Sequence, residues 1–123
     1  MKVSKYMTHP VIKVDVNSNA LTVAKIMAEQ NVDSLVITSE NQDVGIITFD
    51  DIIAIKQQRL EETFIKDHLV SKFASIKSSS DCEDALRQMI DRGVRRLLVT
   101  EEDVIIGIFT LSNIISYRPL LYK

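Results

Sequence analysis

Short apolar runs alternate with amphipathic stretches along this chain, and the order in which they come occurs twice. In the first half Val11-Ile12-Lys13-Val14 is rich in β-branched residues and predicts a short strand. Asn17-Ser18-Asn19 supplies helix-starting side chains. Ala20, Val23, Ala24 and Met27 then recur at three- and four-residue steps, so one helix face is apolar while Lys25 and Glu29 fall outside it. Leu35-Val36-Ile37 reads as a buried strand and Ser39 to Asp43 as a polar turn, and Val44-Gly45-Ile46-Ile47 returns as an antiparallel partner. Thr48 ends that strand and opens a closing helix with Ile52, Ile53 and Ile55 as apolar positions. The polar stretch Lys56-Gln57-Gln58-Arg59, with Glu61 and Glu62, is expected to prolong this helix and link the halves.

The second half repeats the pattern. Cys82, Ala85, Leu86 and Met89 form the helical stripe, and Ser80 to Glu83 or Asp81 to Asp84 resembles a capping box. Leu97-Leu98-Val99 and Ile105-Ile106-Gly107-Ile108-Phe109 flank a polar turn at Glu101 to Asp103, and Thr110 opens a closing helix with Ile114 and Ile115. Gly45-Ile46-Ile47-Thr48 and Gly107-Ile108-Phe109-Thr110 stand at an offset of 62 residues, from Gly45 to Gly107. The same offset pairs Ser18 with Ser80, Met27 with Met89, Leu35 with Leu97 and Thr38 with Thr100, with no gap. A unit this small buries its own apolar face poorly, so the copies, residues 1–62 with the linker and 63–123 with the tail, are expected to pack together.

Composition narrows the functional classes. Hydrophobic residues at 46% and charged residues at 26% suit a globular fold of 123 residues. A net charge of −2 argues against a general phosphate-backbone binder. Cys82 is the single cysteine, and no apolar run is long enough to span a bilayer, which predicts a cytoplasmic protein without internal disulfides. With glycine only at positions 45, 93 and 107 there is neither a Walker loop nor a dinucleotide fingerprint. His9 and His68 do not align under the offset, and no metal-ligand spacing is present, so no metal site is expected. Cys82, Met7, Met27 and Met89 read as packing residues.

A helical lead ending near Met7-Thr8, a strand, a helix ending in Met27, two strands and then Gly45-Ile46-Ile47-Thr48 with Asp51 together resemble the cystathionine β-synthase (CBS) domain. The resemblance runs from about Val3 to Ile53 and again from Ile65 to Ile115. It implies an α/β (α+β) fold of two repeats, each a short helical lead followed by β-α-β-β-α, related by a pseudo-two-fold axis in a Bateman module. It further implies clefts between repeats that bind an adenosine-containing ligand such as AMP, ADP, ATP or S-adenosylmethionine, a disc-like homodimer, and an effector partner. On this reading the nucleotide is a regulatory ligand and the chain carries no catalytic cofactor and no catalysis of its own.

The residues themselves support a division of labour. A threonine at a strand end and an aspartate one helical turn later, Thr48 and Asp51, can face a common ligand, with the hydroxyl donating to phosphate and the carboxylate accepting from a ribose diol. Both side chains also suit a helix cap. The second copy has Thr110 but places Asn113 where Asp51 stands, and an uncharged amide with one acceptor oxygen recognises a diol less well. Asp50 and Asp51 disfavour polyphosphate in the first copy, whereas Ser112 and Asn113 do not in the second. Arg95 and Arg96, opposite Asp33 and Ser34 under the offset, can fork onto phosphate oxygens or simply balance neighbours such as Asp91. The resemblance also assigns purine contacts to Thr8, Val11 and Ile12 in one copy and to Phe73 and Ala74 in the other, positions that β-branched core residues would fill in any case. Three other roles remain: an interaction module with decayed sites, a nucleic-acid binder using Arg92, Arg95 and Arg96, and, least supported, an enzyme.

Overall fold

The computed structural model describes residues 1–68, 73–113 and 115. Its helices are α1 (Val3–Tyr6), α2 (Ala20–Gln30), α3 (Phe49–Ile53), α4 (Ile65–His68) and α5 (Cys82–Arg92). Its strands are β1 (Lys13–Asp15), β2 (Ser34–Ser39), β3 (Gln42–Thr48), β4 (Ser75–Lys77), β5 (Arg96–Glu101) and β6 (Val104–Thr110). Two three-stranded sheets result, ordered β1-β2-β3 and β4-β5-β6, and helices complete a mixed α/β architecture. In each sheet the first strand pairs in parallel with the second, and the second forms an antiparallel hairpin with the third. Both hairpins turn through two consecutive left-handed residues, Glu40-Asn41 and Glu102-Asp103. That backbone matches the right-handed twist of the strands it joins.

The chain resolves into two compact units that do not follow the repeat boundaries. The first-copy unit is Ile12–Lys72, and the second-copy unit joins Met1–Val11 to the chain from Phe73 onward. Each helical lead therefore serves the other copy. In the first-copy unit the Ala20 N–H donates to the Thr63 carbonyl at 2.8 Å and the Ile65 N–H to that of Ser18 at 3.0 Å. In the second-copy unit the same bonds, shifted by the repeat offset, run from Cys82 to Met1 and from Val3 to Ser80, each at 2.8 Å. Helix starts leave amides without intrahelical partners, and these leads supply carbonyls to them.

The cores follow the same exchange. Val14, Ala20, Val23, Met27, Leu35, Ile37, Ile47, Ile52 and Ile65 are buried together in one unit. Val3, Ile76, Cys82, Ala85, Met89, Leu97, Val99 and Phe109 are buried in the other. Cys82, Met27 and Met89 are thus core residues as expected, and Met7 packs at the margin of the second-copy core.

Three local expectations are corrected. The first strand starts at Lys13, two residues after the β-branched run begins, although the Ile12 carbonyl already accepts from the Val36 N–H at 3.0 Å. The closing helix α3 stops at Ile53, and Gln57–Arg59 forms a separate 3-10 turn instead of prolonging it. Asp81 is the N-cap of α5 but makes no capping bond, since its carboxylate turns to Lys2 Nζ at 3.2 Å and to the terminal amine at 3.7 Å.

Candidate functional site

The first-copy unit positions Thr48 and Asp51 at the junction of β3 and α3. The Thr48 N–H donates to Asp51 Oδ2 at 2.8 Å and its hydroxyl to the same oxygen at 3.0 Å, while the Asp51 N–H reaches Thr48 Oγ1 at 3.4 Å. A capping box is therefore formed. All of its bonds to the carboxylate fall on one oxygen, and Asp51 Oδ1 accepts none from the described residues. Asp51 is half-buried, so its second oxygen stays available on a carboxylate whose orientation is already fixed. Ser34, buried, stands opposite Thr48 in the β2–β3 register.

Thr110 and Asn113 reproduce the junction in the second-copy unit, where residues 111–113 are helical. The Thr110 N–H donates to Asn113 Oδ1 at 2.8 Å and its hydroxyl does so at 3.3 Å. Here the side chain has a further partner, because Asn113 Nδ2 donates to Thr8 Oγ1 at 3.4 Å. Thr8 is held by a reciprocal backbone pair with Ile108, at 2.8 and 2.9 Å, along the outer edge of β6. Arg96 stands opposite Thr110 in the β5–β6 register, where the first copy has Ser34. Arg96 is half-buried and Arg95 exposed, so one guanidinium stem starts beside the helix-opening threonine.

Ile12 and Ala74 occupy equivalent places at the entrance of β1 and β4, each offering its carbonyl to the neighbouring strand, from Val36 at 3.0 Å and Leu98 at 2.9 Å. Val11 and Phe73 precede them, half-buried. Thr8 and Val11 lie in the second-copy unit with Phe73, Ala74, Arg95, Arg96, Thr110 and Asn113, whereas Ile12, Thr48 and Asp51 lie in the first-copy unit. Of the first-copy purine candidates, Thr8 and Val11 thus fall in one unit and Ile12 in the other. His9 is exposed, and the side chain of His68 is outside the described residues. Among the described residues no His, Cys, Asp and Glu cluster could hold a metal ion, and no helix is long and apolar enough to cross a membrane. An open depression of about 430 Å³ lined by Lys77, Ser78, Ser79, Thr100, Glu101, Glu102 and Asp103 lies at the other end of the β5–β6 hairpin from Thr110. Its acidic turn suits neither phosphate nor the threonine–carboxylate chemistry.

The CBS domain family matches the chain twice, over residues 3–57 and 65–119. This chain belongs to the CBS domain family. An uncharacterized protein of Methanopyrus kandleri is 27% identical over 98% of this chain, and a 17.7 kDa protein of Acidianus ambivalens 32% identical over 97%. The chain spans 64% and 70% of the length of those relatives. The inosine-5'-monophosphate dehydrogenase of Methanocaldococcus jannaschii is 29% identical over 95% of this chain, a match that takes in 23% of that enzyme. Among solved structures, a CBS domain protein of Thermoplasma acidophilum is 27% identical with a TM-score of 0.80, covering 95% of this chain and 68% of that one. A CBS domain pair in complex with 5-methylthioadenosine and S-adenosyl-L-methionine has a TM-score of 0.80 at 21% identity, covering 96% and 99%, and shares the fold. The protein is a tandem CBS pair.

Proposed function

We propose that this CBS pair is a regulatory sensor of an adenosine-containing ligand and acts in the cytoplasm through a partner protein, without catalysis of its own. The observation that carries the reading is the state of Asp51, fixed through Oδ2 while Oδ1 is unengaged by the described residues beside Thr48. A carboxylate oriented in this way can take a ribose hydroxyl without reorganising. Binding of two adenosine compounds by a solved CBS pair of the same fold is in keeping with this. Arg95 and Arg96 are the phosphate-contacting candidates, and Val11, Ile12, Phe73 and Ala74 the candidates for the purine.

The output surface we assign to the closing helices. Phe49 and Ile53 are 50% and 61% exposed, and their repeat counterparts Leu111 and Ile115 45% and 64%. Matched apolar residues on both closing helices suit a second copy of the chain. The rival reading, an interaction module whose sites have decayed, rests on Asn113, on Asp50, and on Asp33 and Ser34 standing where the second copy has Arg95 and Arg96.

Titration calorimetry with AMP, ADP, ATP and S-adenosylmethionine, with light scattering on the same samples, tests the proposal. A dimer that binds at least one of the four is expected, with Asp51→Ala weakening that binding about tenfold or more, in line with a charge-assisted hydrogen bond of roughly 1.5–3 kcal/mol. No binding by any of the four leaves the interaction module as the reading. A concentration-independent monomer removes the second copy from it.

A further inference from the structure

We propose that Thr8 and Asn113 close the second copy's counterpart of the Asp51 site, so that the chain takes one cis-diol ligand and takes it at the first copy. The inference rests on the sensor reading and names which of its two sites is open. The amide orientation at Asn113 is fixed by chemistry. Thr110's backbone N–H can only donate, so the atom it meets at 2.8 Å must be Oδ1, and Nδ2 is left to face Thr8 Oγ1 at 3.4 Å. The Asn113 oxygen already accepts twice, from the Thr110 amide and hydroxyl, and an amide has no second oxygen to offer a diol. A ribose would have to displace Thr8, which its backbone pair with Ile108 holds in place.

The two copies differ in a matched way. Under the repeat offset Thr8 corresponds to Val70, and Asn113 to Asp51. Valine has no hydrogen-bonding side-chain group, so hydroxyl and amide occur together in one copy, valine and carboxylate in the other. A lone change from Asp to Asn would weaken a site. The accompanying hydroxyl gives the amide an internal partner and occupies it.

The test is the number of adenosine molecules bound per chain, read by calorimetry; adenosine lacks phosphate, so Arg95 and Arg96 do not contribute. Wild type is expected to bind one. Thr8→Val with Asn113→Asp, which gives the second copy the residue types the first copy has at those offsets, is expected to bind two, the new site within about tenfold of the first. Adding Asp51→Asn to that double variant should leave only the new site. Two molecules per wild-type chain, or one per double-variant chain, would overturn the closure while leaving the sensor reading intact. If wild type binds no adenosine, the sensor reading is judged on the four ligands named above, and the closure is read from the Asn113 side-chain amide by NMR. Its protons should exchange more slowly with Thr8 present than in Thr8→Val, and equal rates would overturn the closure.

Discussion

A β-carbon added at Gly107 would stand 2.9 Å from Met7 Cγ and 3.1 Å from the Thr8 carbonyl oxygen, so the absence of a side chain there lets the lead lie against β6. Gly107→Ala should lower stability by about 1–3 kcal/mol through overpacking, seen as a lower urea midpoint at unchanged slope. Met7→Ala in the same chain should return part of that loss, because the two residues are in contact and their effects are coupled. Strictly additive effects would show that Gly107 serves something other than the lead. The recurrence of this glycine was legible in the sequence, and so was the contrast between Asp51 and Asn113. Their partners were not. Met7 and Thr8 stand about a hundred residues away in the chain, and no periodicity reports a hydrogen bond at a separation of 105. The pairing of Thr8 with Val70 under the offset was the available signal.

At the scale of elements, each sheet, hairpin and long helix lies where apolar spacing placed it, because burial of one face dictates that spacing. What spacing does not encode is which copy a lead will join. Val3 and Ile65 are fully buried at equivalent places, and each completes the core of the copy it does not precede. Val3→Ala should therefore accelerate amide exchange in α5 and the β4-β5-β6 sheet more than in β1-β2-β3, and Ile65→Ala should do the reverse. Faster exchange throughout α2 in Val3→Ala, with α5 unchanged, would contradict the exchange of leads. The Asp81 carboxylate adds a pH dependence to the same contact. Its hydrogen bond and charge attraction with Lys2 hold its pKa below the ordinary 3.8. The lowered folded-state pKa means that this contribution is present above the ordinary value and lost as pH falls through the lowered one. The protection of the Cys82 amide, bonded to Met1, should accordingly drop below about pH 3.8 in wild type and change less in Lys2→Ala.

For the whole molecule, the duplication made the fold class readable, since two gap-free copies of one element order leave few alternatives. The same duplication shows where the copies part. The first pairs an oriented carboxylate with no cation in register, and the second pairs an arginine in register with an amide bonded to Thr8. On the proposed reading the two copies carry unequal ligand sites on equal scaffolds. The most direct test is a crystal structure of the chain grown with AMP. A ribose hydroxyl is expected at about 2.7 Å from Asp51 Oδ1, with the Thr48 cap retained and Thr8 still bonded to Asn113. A ribose seated on Asn113, with Asp51 left as a helix cap alone, would contradict it.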